Sequence, residues 1–115
     1  MSIRIDLQKN LSGELTKSLR AELAKVVRET AFAIEADAKQ RAPVDTGALR
    51  SSIQADVKDA ETLLQAEVAV GVEYGPYVEL GTVHQSAQPF LTPAVEAQRQ
   101  PFEQRIAEAI ERAGK

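Results

Sequence analysis

The chain has 115 residues, a length typical of a single domain, 1–115, with one modest hydrophobic core. Aromatic residues make up only 4% of it and Trp is absent, so we expect a thin aliphatic core that benefits from contact with neighbouring subunits. Lys and Arg total 14 against 17 Asp and Glu, a formal net charge of −3, and this balance argues against a nucleic-acid-binding domain.

The chain contains no cysteine, which excludes disulfides and thiolate metal sites. Its first residues, MSIRIDLQKN, lack the apolar core of a signal peptide, and no run is long enough to span a bilayer. We therefore expect a soluble intracellular product with no membrane partner.

The first predicted elements are a short strand and a long helix. SIRIDL alternates apolar and polar residues, which predicts a strand with one solvent-exposed face. Asn10 or Ser12 can cap the helix, with Glu14 in its first turn. About thirty residues of helix would be about 45 Å long, so part of it should project or pack against another subunit. The stripe that predicts this helix consists of Leu15, Leu19, Leu23, Val26, Thr30, Ile34 and Ala38.

Other residues of this helix lie outside the apolar stripe. Phe32 falls on the opposite side, among basic residues, and is our candidate interface residue; the alternative is burial under the C-terminal helix. Three oppositely charged pairs stand four residues apart and can pair along the helix: Lys25 with Glu29, Glu35 with Lys39, and Asp37 with Arg41.

The segment RAPVDTGALRSSI, residues 41–53, contains several residues that favour a turn at the same place. Pro43 stops the helix, because it lacks an N–H and disfavours helical geometry in the residue before it. Asp45 or Thr46 can bond back to the backbone, and Gly47 permits a positive φ. The turn either has this local role alone or fixes the angle between helix and sheet, so that the helix is held out for a neighbour.

The clearest β signal is a hairpin. Apolar residues alternate on both sides of the loop KDAET, over 53–57 and 64–72. YGPYVELGT, residues 74–82, then predicts a turn, a short helical segment and a stop at Gly81, with a loop after it.

A C-terminal helix is predicted from PFLTPAVEAQ onward. Thr92 is its expected N-cap and Pro93 its first helical residue, and Pro101 should kink or divide it. Its narrow apolar face consists of Val95, Phe102, Ile106, Ala109 and Ile110. The pattern as a whole predicts an α+β fold, a small antiparallel sheet of three to four strands with a long N-terminal and a C-terminal helix.

No constellation for catalysis or cofactor binding is visible. His84 is the only histidine, without a partner spaced for a metal site or for nucleophilic catalysis. The glycines of the central region occur singly, so there is no phosphate-binding loop. We expect a protein that is not an enzyme and holds no cofactor or metal.

Three stretches taken together carry a resemblance. RAPVDTGALRSSI after a long helix, YGPYVELGT after a hairpin and QPFLTPAVEAQ opening a C-terminal helix resemble, in that order, the neck and tail-completion proteins of long-tailed bacteriophages, which include head–tail connectors and tail components. The matched positions are Pro43, Asp45, Thr46, Gly47, Leu49, Arg50, Ser52, Ile53, Tyr74, Tyr77, Glu79, Gly81, Thr82, Pro89, Phe90, Pro93 and Ala94.

The resemblance implies a structural virion protein at the head–tail junction, needed for making tails or joining them to heads. Its copies would form a ring, hexameric or dodecameric, that encircles DNA without sequence-specific binding. Its partners would be connector or head-completion proteins and tail terminator or tube proteins. The alternatives are a tail terminator that caps the tube and, from another class, a small regulatory or antitoxin-like binding protein.

Two of the matched features have alternative interpretations. Glu79 can cap a backbone N–H beside Gly81, or it can reach Arg50 or an arginine of the next subunit. Tyr74 and Tyr77 are expected in the core or in a seam between subunits rather than in a ligand site.

Overall fold

A computed structural model describes residues 1–8, 15–43 and 47–114. Its elements are β1 (Ser2–Asp6), α1 (Lys17–Arg41), α2 (Ala48–Ser51), β2 (Ile53–Asp56), α3 (Ala60–Leu63), β3 (Gln65–Val70), α4 (Gly75–Leu80) and α5 (Leu91–Ala113). This order confirms the predicted α+β fold. The roles predicted for Asn10, Ser12, Glu14, Asp45 and Thr46 fall on residues outside the described ranges.

The sheet has three antiparallel strands in the order β1-β3-β2. Ile3 lies opposite Val68 in one pair of strands, and Ile53 lies opposite Val70 in the other. Every second residue of β3 is buried, as the alternating pattern predicts, because one face of the sheet is covered by the helices.

Helix α1 begins at Lys17, later than predicted, and Thr16 is its N-cap. The Thr16 hydroxyl accepts the Leu19 N–H at 3.0 Å. The predicted stripe is confirmed from Leu23 onward, since the buried residues of α1 are Leu23, Ala24, Val26, Val27, Thr30, Ala31, Ile34 and Ala38. A helix of 25 residues is about 37 Å long, and the described chain extends over 55 × 23 × 20 Å.

Tertiary contacts replace two of the three predicted ion pairs along α1. Asp37 and Arg41 do pair, at 3.0 Å. Glu29 instead contacts Arg105 of α5, and a carboxylate oxygen of Glu35 accepts the Ala55 N–H at 2.7 Å. Hydrogen bonding from the Arg105 guanidinium lowers the pKa of the Glu29 carboxyl, against the weaker opposite effect of burial.

Helix α5 packs antiparallel on α1. The ion pairs Glu29–Arg105 and Glu22–Arg112 show this direction, because their residues stand seven apart on both helices and run in opposite orders. The predicted apolar face is confirmed except at Ile110, which is half exposed.

The helix α5 runs through Pro101 without a break, so the predicted division is wrong. Pro101 removes one N–H from the helix, the donor that would bond the Ala97 carbonyl. Both residues are exposed, so water can hydrogen-bond that carbonyl.

The hairpin connection contains a short helix, α3, where a loop was predicted. Ala60 anchors it in the core, and Leu64 ends it in the left-handed region at φ 51°. Leu64 is fully buried. The burial of this side chain offsets a backbone conformation that non-glycine residues rarely adopt.

Candidate assembly surface

The first motif stretch ties the end of α1 to the sheet. Gly47 has φ 76° and begins α2, as its predicted positive φ requires. Leu49 and Ile53 are buried on either side of Arg50, whose Nε donates to the Lys39 carbonyl of α1 at 2.9 Å. Side-chain packing and this hydrogen bond therefore hold the angle of α1 relative to β2.

Two smaller contacts complete this stretch. The Ser52 hydroxyl donates to the Leu49 carbonyl at 2.8 Å and closes the turn of α2. Pro43 is half buried just beyond α1 and lines a surface groove together with Val78 and Gln88. The first two stretches therefore meet at this groove.

Glu79 joins the second stretch to the third. Its side chain is buried, with 6% of the residue exposed, and it accepts three backbone N–H groups at the start of α5. The donors are Phe90 and Leu91 on one oxygen, both at 2.9 Å, and Thr92 on the other, at 3.0 Å. Of the alternatives for Glu79, capping of backbone N–H groups is the one observed, at the start of α5 rather than beside Gly81, and Arg50 bonds to the Lys39 carbonyl instead.

This arrangement fixes the charge on Glu79. Burial raises the pKa of a carboxyl, because it disfavours the ionised form. The N–H groups of Leu91, Phe90 and Thr92, together with the Thr92 side chain, outweigh that effect and hold the pKa of Glu79 below its usual range. A carboxylate at a helix N-terminus also interacts favourably with the helix dipole.

The predicted start of α5 is wrong for the same reason. The helix begins at Leu91 with Phe90 as its N-cap, and no side chain of the cap residue bonds to it. Thr92 and Pro93 lie inside the first turn, after the exposed Pro89. A cap contributed by a residue eleven or more positions earlier leaves no local signal, and Glu79 in an apolar segment was the only hint of it.

Four large apolar side chains on α4 and directly before and after it are exposed, and together they are called the α4 patch. Its members and their exposed fractions are Tyr74 43%, Tyr77 64%, Leu80 78% and Val83 95%. The alternative that the two tyrosines belong to the core of the isolated chain is therefore wrong. Four large apolar side chains exposed within ten residues are typical of an interaction surface.

The backbone under the α4 patch is held in place. Gly81 ends α4 at φ 79° and ψ 172°, and its N–H donates to the Tyr77 carbonyl at 2.9 Å. The Thr82 hydroxyl then accepts the N–H groups of His84 and Gln85, at 3.2 and 3.1 Å. The patch is thus presented by an ordered turn.

Phe32 is 46% exposed on the outer side of α1. Helix α5 packs on another side, where Glu29 contacts Arg105. The alternative of burial under the C-terminal helix is therefore wrong for the isolated chain, and an interface role for Phe32 stays a prediction.

Chemistry-bearing groups are sparse. Among residues 1–8, 15–43 and 47–114, no group of three or more His, Cys, Asp or Glu side chains could hold a metal ion. No helix in these ranges is both long and apolar enough to cross a bilayer. His84 is exposed in the turn after α4.

Comparison with known proteins gives one result. No curated protein and no solved structure matches the chain significantly. A family model described as "Bacteriophage HK97-gp10, putative tail-component" matches residues 5–81, more than half of the chain. The match runs from the end of β1 to Gly81 and includes the first motif stretch and most of the second. The chain therefore belongs to the HK97-gp10-like family of phage tail components, a family that is typically structural.

Proposed function

We propose that the chain is a structural subunit of the phage neck, placed at the head–tail junction and needed to make tails or join them to heads. The observation that carries this proposal is the α4 patch, an apolar surface on an ordered turn in a member of a tail-component family. Residues 1–115 act as one domain and serve assembly rather than catalysis.

The α4 patch suits contact with the next ring of the particle. Burying a Leu or Val side chain at an interface contributes about 1.5–3 kcal/mol, and the patch offers two of these with two tyrosines. The bonds of Glu79 and the turn at Gly81 hold the patch before binding, which reduces the entropy lost on association. Connector, terminator or tube proteins are the partners expected there.

In this proposal several copies form a ring, hexameric or dodecameric, through which the DNA passes. A net charge of −3 suits the wall of such a channel, since a mildly negative lumen does not hold a duplex tightly. The protein is made in the host cytoplasm and ends in the neck of the virion.

Electron microscopy of a lysate tests this role. With the gene inactivated in the parent phage, filled heads should accumulate apart from tails, and supplying the protein in trans should restore joined particles. Tails of irregular length would indicate the tail terminator function instead. Intact infectious particles without the protein would overturn the proposal and favour the regulatory alternative.

A double variant tests the α4 patch itself. Leu80→Asp with Val83→Asp should weaken partner binding about 100-fold or more, since two apolar contacts of about 1.5 kcal/mol each are lost. Joined particles in the complementation assay should fall accordingly. The melting temperature should change little, because both side chains are largely exposed.

The matched control for this variant is Leu63→Asp, on α3. Leu63 is 43% exposed and lies outside the α4 patch, so joining should be normal. Equal loss of joining in the control would show that added charge, rather than the patch, is responsible.

A further inference from the structure

This proposal rests on the ring of the proposed function. We propose that the outer face of α1 in one copy binds the outer face of α5 in the next copy. The basic strip of α1 consists of Lys17, Lys25, Arg28, Phe32 and Lys39. The acidic face of α5 consists of Ala97, Gln100, Glu103, Gln104, Ala107, Glu108 and Glu111.

The basic strip lies on the side of α1 away from the core, with Lys17, Lys25 and Phe32 exposed and Arg28 and Lys39 half-buried. At 100° per residue its five members fall within about 80° of the helix circumference, opposite the buried stripe. Glu35, at the border of the strip, already accepts the Ala55 N–H. Arg28 lies 4.0 Å from the largely exposed Glu61, a weak contact that leaves the guanidinium accessible. The strip therefore combines positive charge with one large aromatic side chain, Phe32.

The acidic face carries charge that its own helix does not neutralise. The arginines of α5 are engaged elsewhere, in the ion pairs Arg99–Glu96, Arg105–Glu29 and Arg112–Glu22. All members of the acidic face are exposed. Ala97 and Ala107 are small, which leaves room for the Phe32 ring between flanking carboxylates.

Charge complementarity decides which copy-to-copy contact forms. Two basic strips facing each other bring like charges together, and so do two acidic faces, so both symmetric dimers are disfavoured. A basic strip on an acidic face brings opposite charges together and is heterologous, and such contacts close into rings when the rotation between copies divides the circle. Two helices already packed within each copy thus form a belt of alternating α1 and α5 around the ring.

Engineered cysteines test this contact in the purified protein. The natural chain has no cysteine, so Ala36→Cys, beside the basic strip, and Ala107→Cys, on the acidic face, supply the only two thiols of the double variant. Under oxidising conditions the chain with both cysteines should give a ladder of covalent oligomers on non-reducing gels. Either single variant should give little product.

The opposite patterns overturn the proposal. A single-cysteine variant that dimerises as efficiently as the double variant forms ladders would show a symmetric contact. Absence of a ladder at concentrations where the unmodified protein forms oligomers, or in assembled particles, would show that other faces join the copies. Phe32→Asp, added to the double-cysteine chain, should reduce the ladder without a loss of helical circular dichroism.

Charge reversal tests the same contact in the complementation assay. Lys25→Glu with Lys39→Glu should block joining, and so should Glu103→Lys with Glu111→Lys, each reducing oligomer formation about 10-fold or more by placing like charges together. All four changes in one chain should restore joining, because the reversed residues of the two faces again carry opposite charges.

The outcomes separate the interface from the proposed function. If the unmodified chain restores joining and the folded fourfold variant does not, the interface is wrong and the neck function stands. If particles join without any of this protein, the neck function is wrong, and the covalent ladder of the purified protein still decides the contact between copies.

Discussion

Replacing Glu79 by alanine is expected to lower the free energy of unfolding by about 3 kcal/mol. Three backbone N–H groups at the start of α5 lose their shared acceptor, and hydrogen bonds to a charged group contribute about 1.5–3 kcal/mol. The space left by the side chain is buried, so water cannot readily replace the carboxylate. Chemical denaturation followed by circular dichroism measures the loss.

The same contact makes stability depend on pH. The pKa of Glu79 is lower in the folded chain than in the unfolded chain, so the unfolded state binds the proton more readily. The contribution is complete above about pH 4.3, the ordinary value, and is lost as pH falls through the lower pKa of the folded state. The stabilities of the natural chain and of Glu79→Gln should therefore converge in acid.

The control for both measurements is Glu73→Ala. Glu73 is an exposed carboxylate six residues earlier, and its removal should change stability by less than about 0.5 kcal/mol. If Glu79→Ala were no more destabilising than this control, the carboxylate would not be the cap of α5. A stability difference between the natural chain and Glu79→Gln that stays constant from pH 7 to pH 2 would rule out the linkage.

Gly81→Ala is expected to destabilise the chain by about 2–4 kcal/mol, or to rearrange the turn after α4. The φ of 79° with ψ of 172° lies in a region that is essentially restricted to glycine. A Cβ atom at this position would stand 2.7 Å from the Ala87 backbone nitrogen and 3.1 Å from the Gln85 carbonyl oxygen. Both obstacles are backbone, so a side-chain rotation cannot relieve the contact.

Gly47→Ala is the matched control, because Gly47 has nearly the same φ, 76°. No atom of the described residues lies within 4 Å of the Cβ that alanine would add there, so the expected loss is the conformational cost of about 1–2 kcal/mol. Thermal unfolding of the two variants measures the difference. Equal losses at both glycines would mean that neither the ψ of 172° nor the approach of the 85–87 backbone adds to the cost at Gly81.

Much of the fold was predictable because local patterns express it. The spacing of α1 from Leu23 to Ala38 marks a helix with one buried side, and the alternation over 64–70 marks the central strand. Both periods follow from backbone geometry alone. The stop at Gly81 was predictable as well, since a positive φ after a short helix favours glycine.

Several of the errors share one cause, a contact with a residue that is distant in sequence. Thr92 has the local features of an N-cap, yet the Glu79 carboxylate takes that role. Lys25 stands four residues from Glu29, yet Arg105 from a distant helix binds that carboxylate. In each case a tertiary contact displaced a local one of similar chemistry, and sequence spacing carries no information about such competition. The exposure of Tyr77 could not be predicted either. The sequence pattern around an aromatic residue is the same whether its side chain lies in a core or in an unoccupied interface.

The strand order β1-β3-β2 has a consequence for when the subunit can form. The middle strand is the last of the three to leave the ribosome, so β1 and β2 have no pairing partner until residues 65–70 have been synthesised. Ser2 then pairs with Ala69, and the chain between these two residues must close into a long loop. Closing a loop of this length slows folding. Helix α5 covers α1 later still. Surfaces that could join copies are therefore completed only on finished chains, which separates the folding of each subunit in time from the building of the particle.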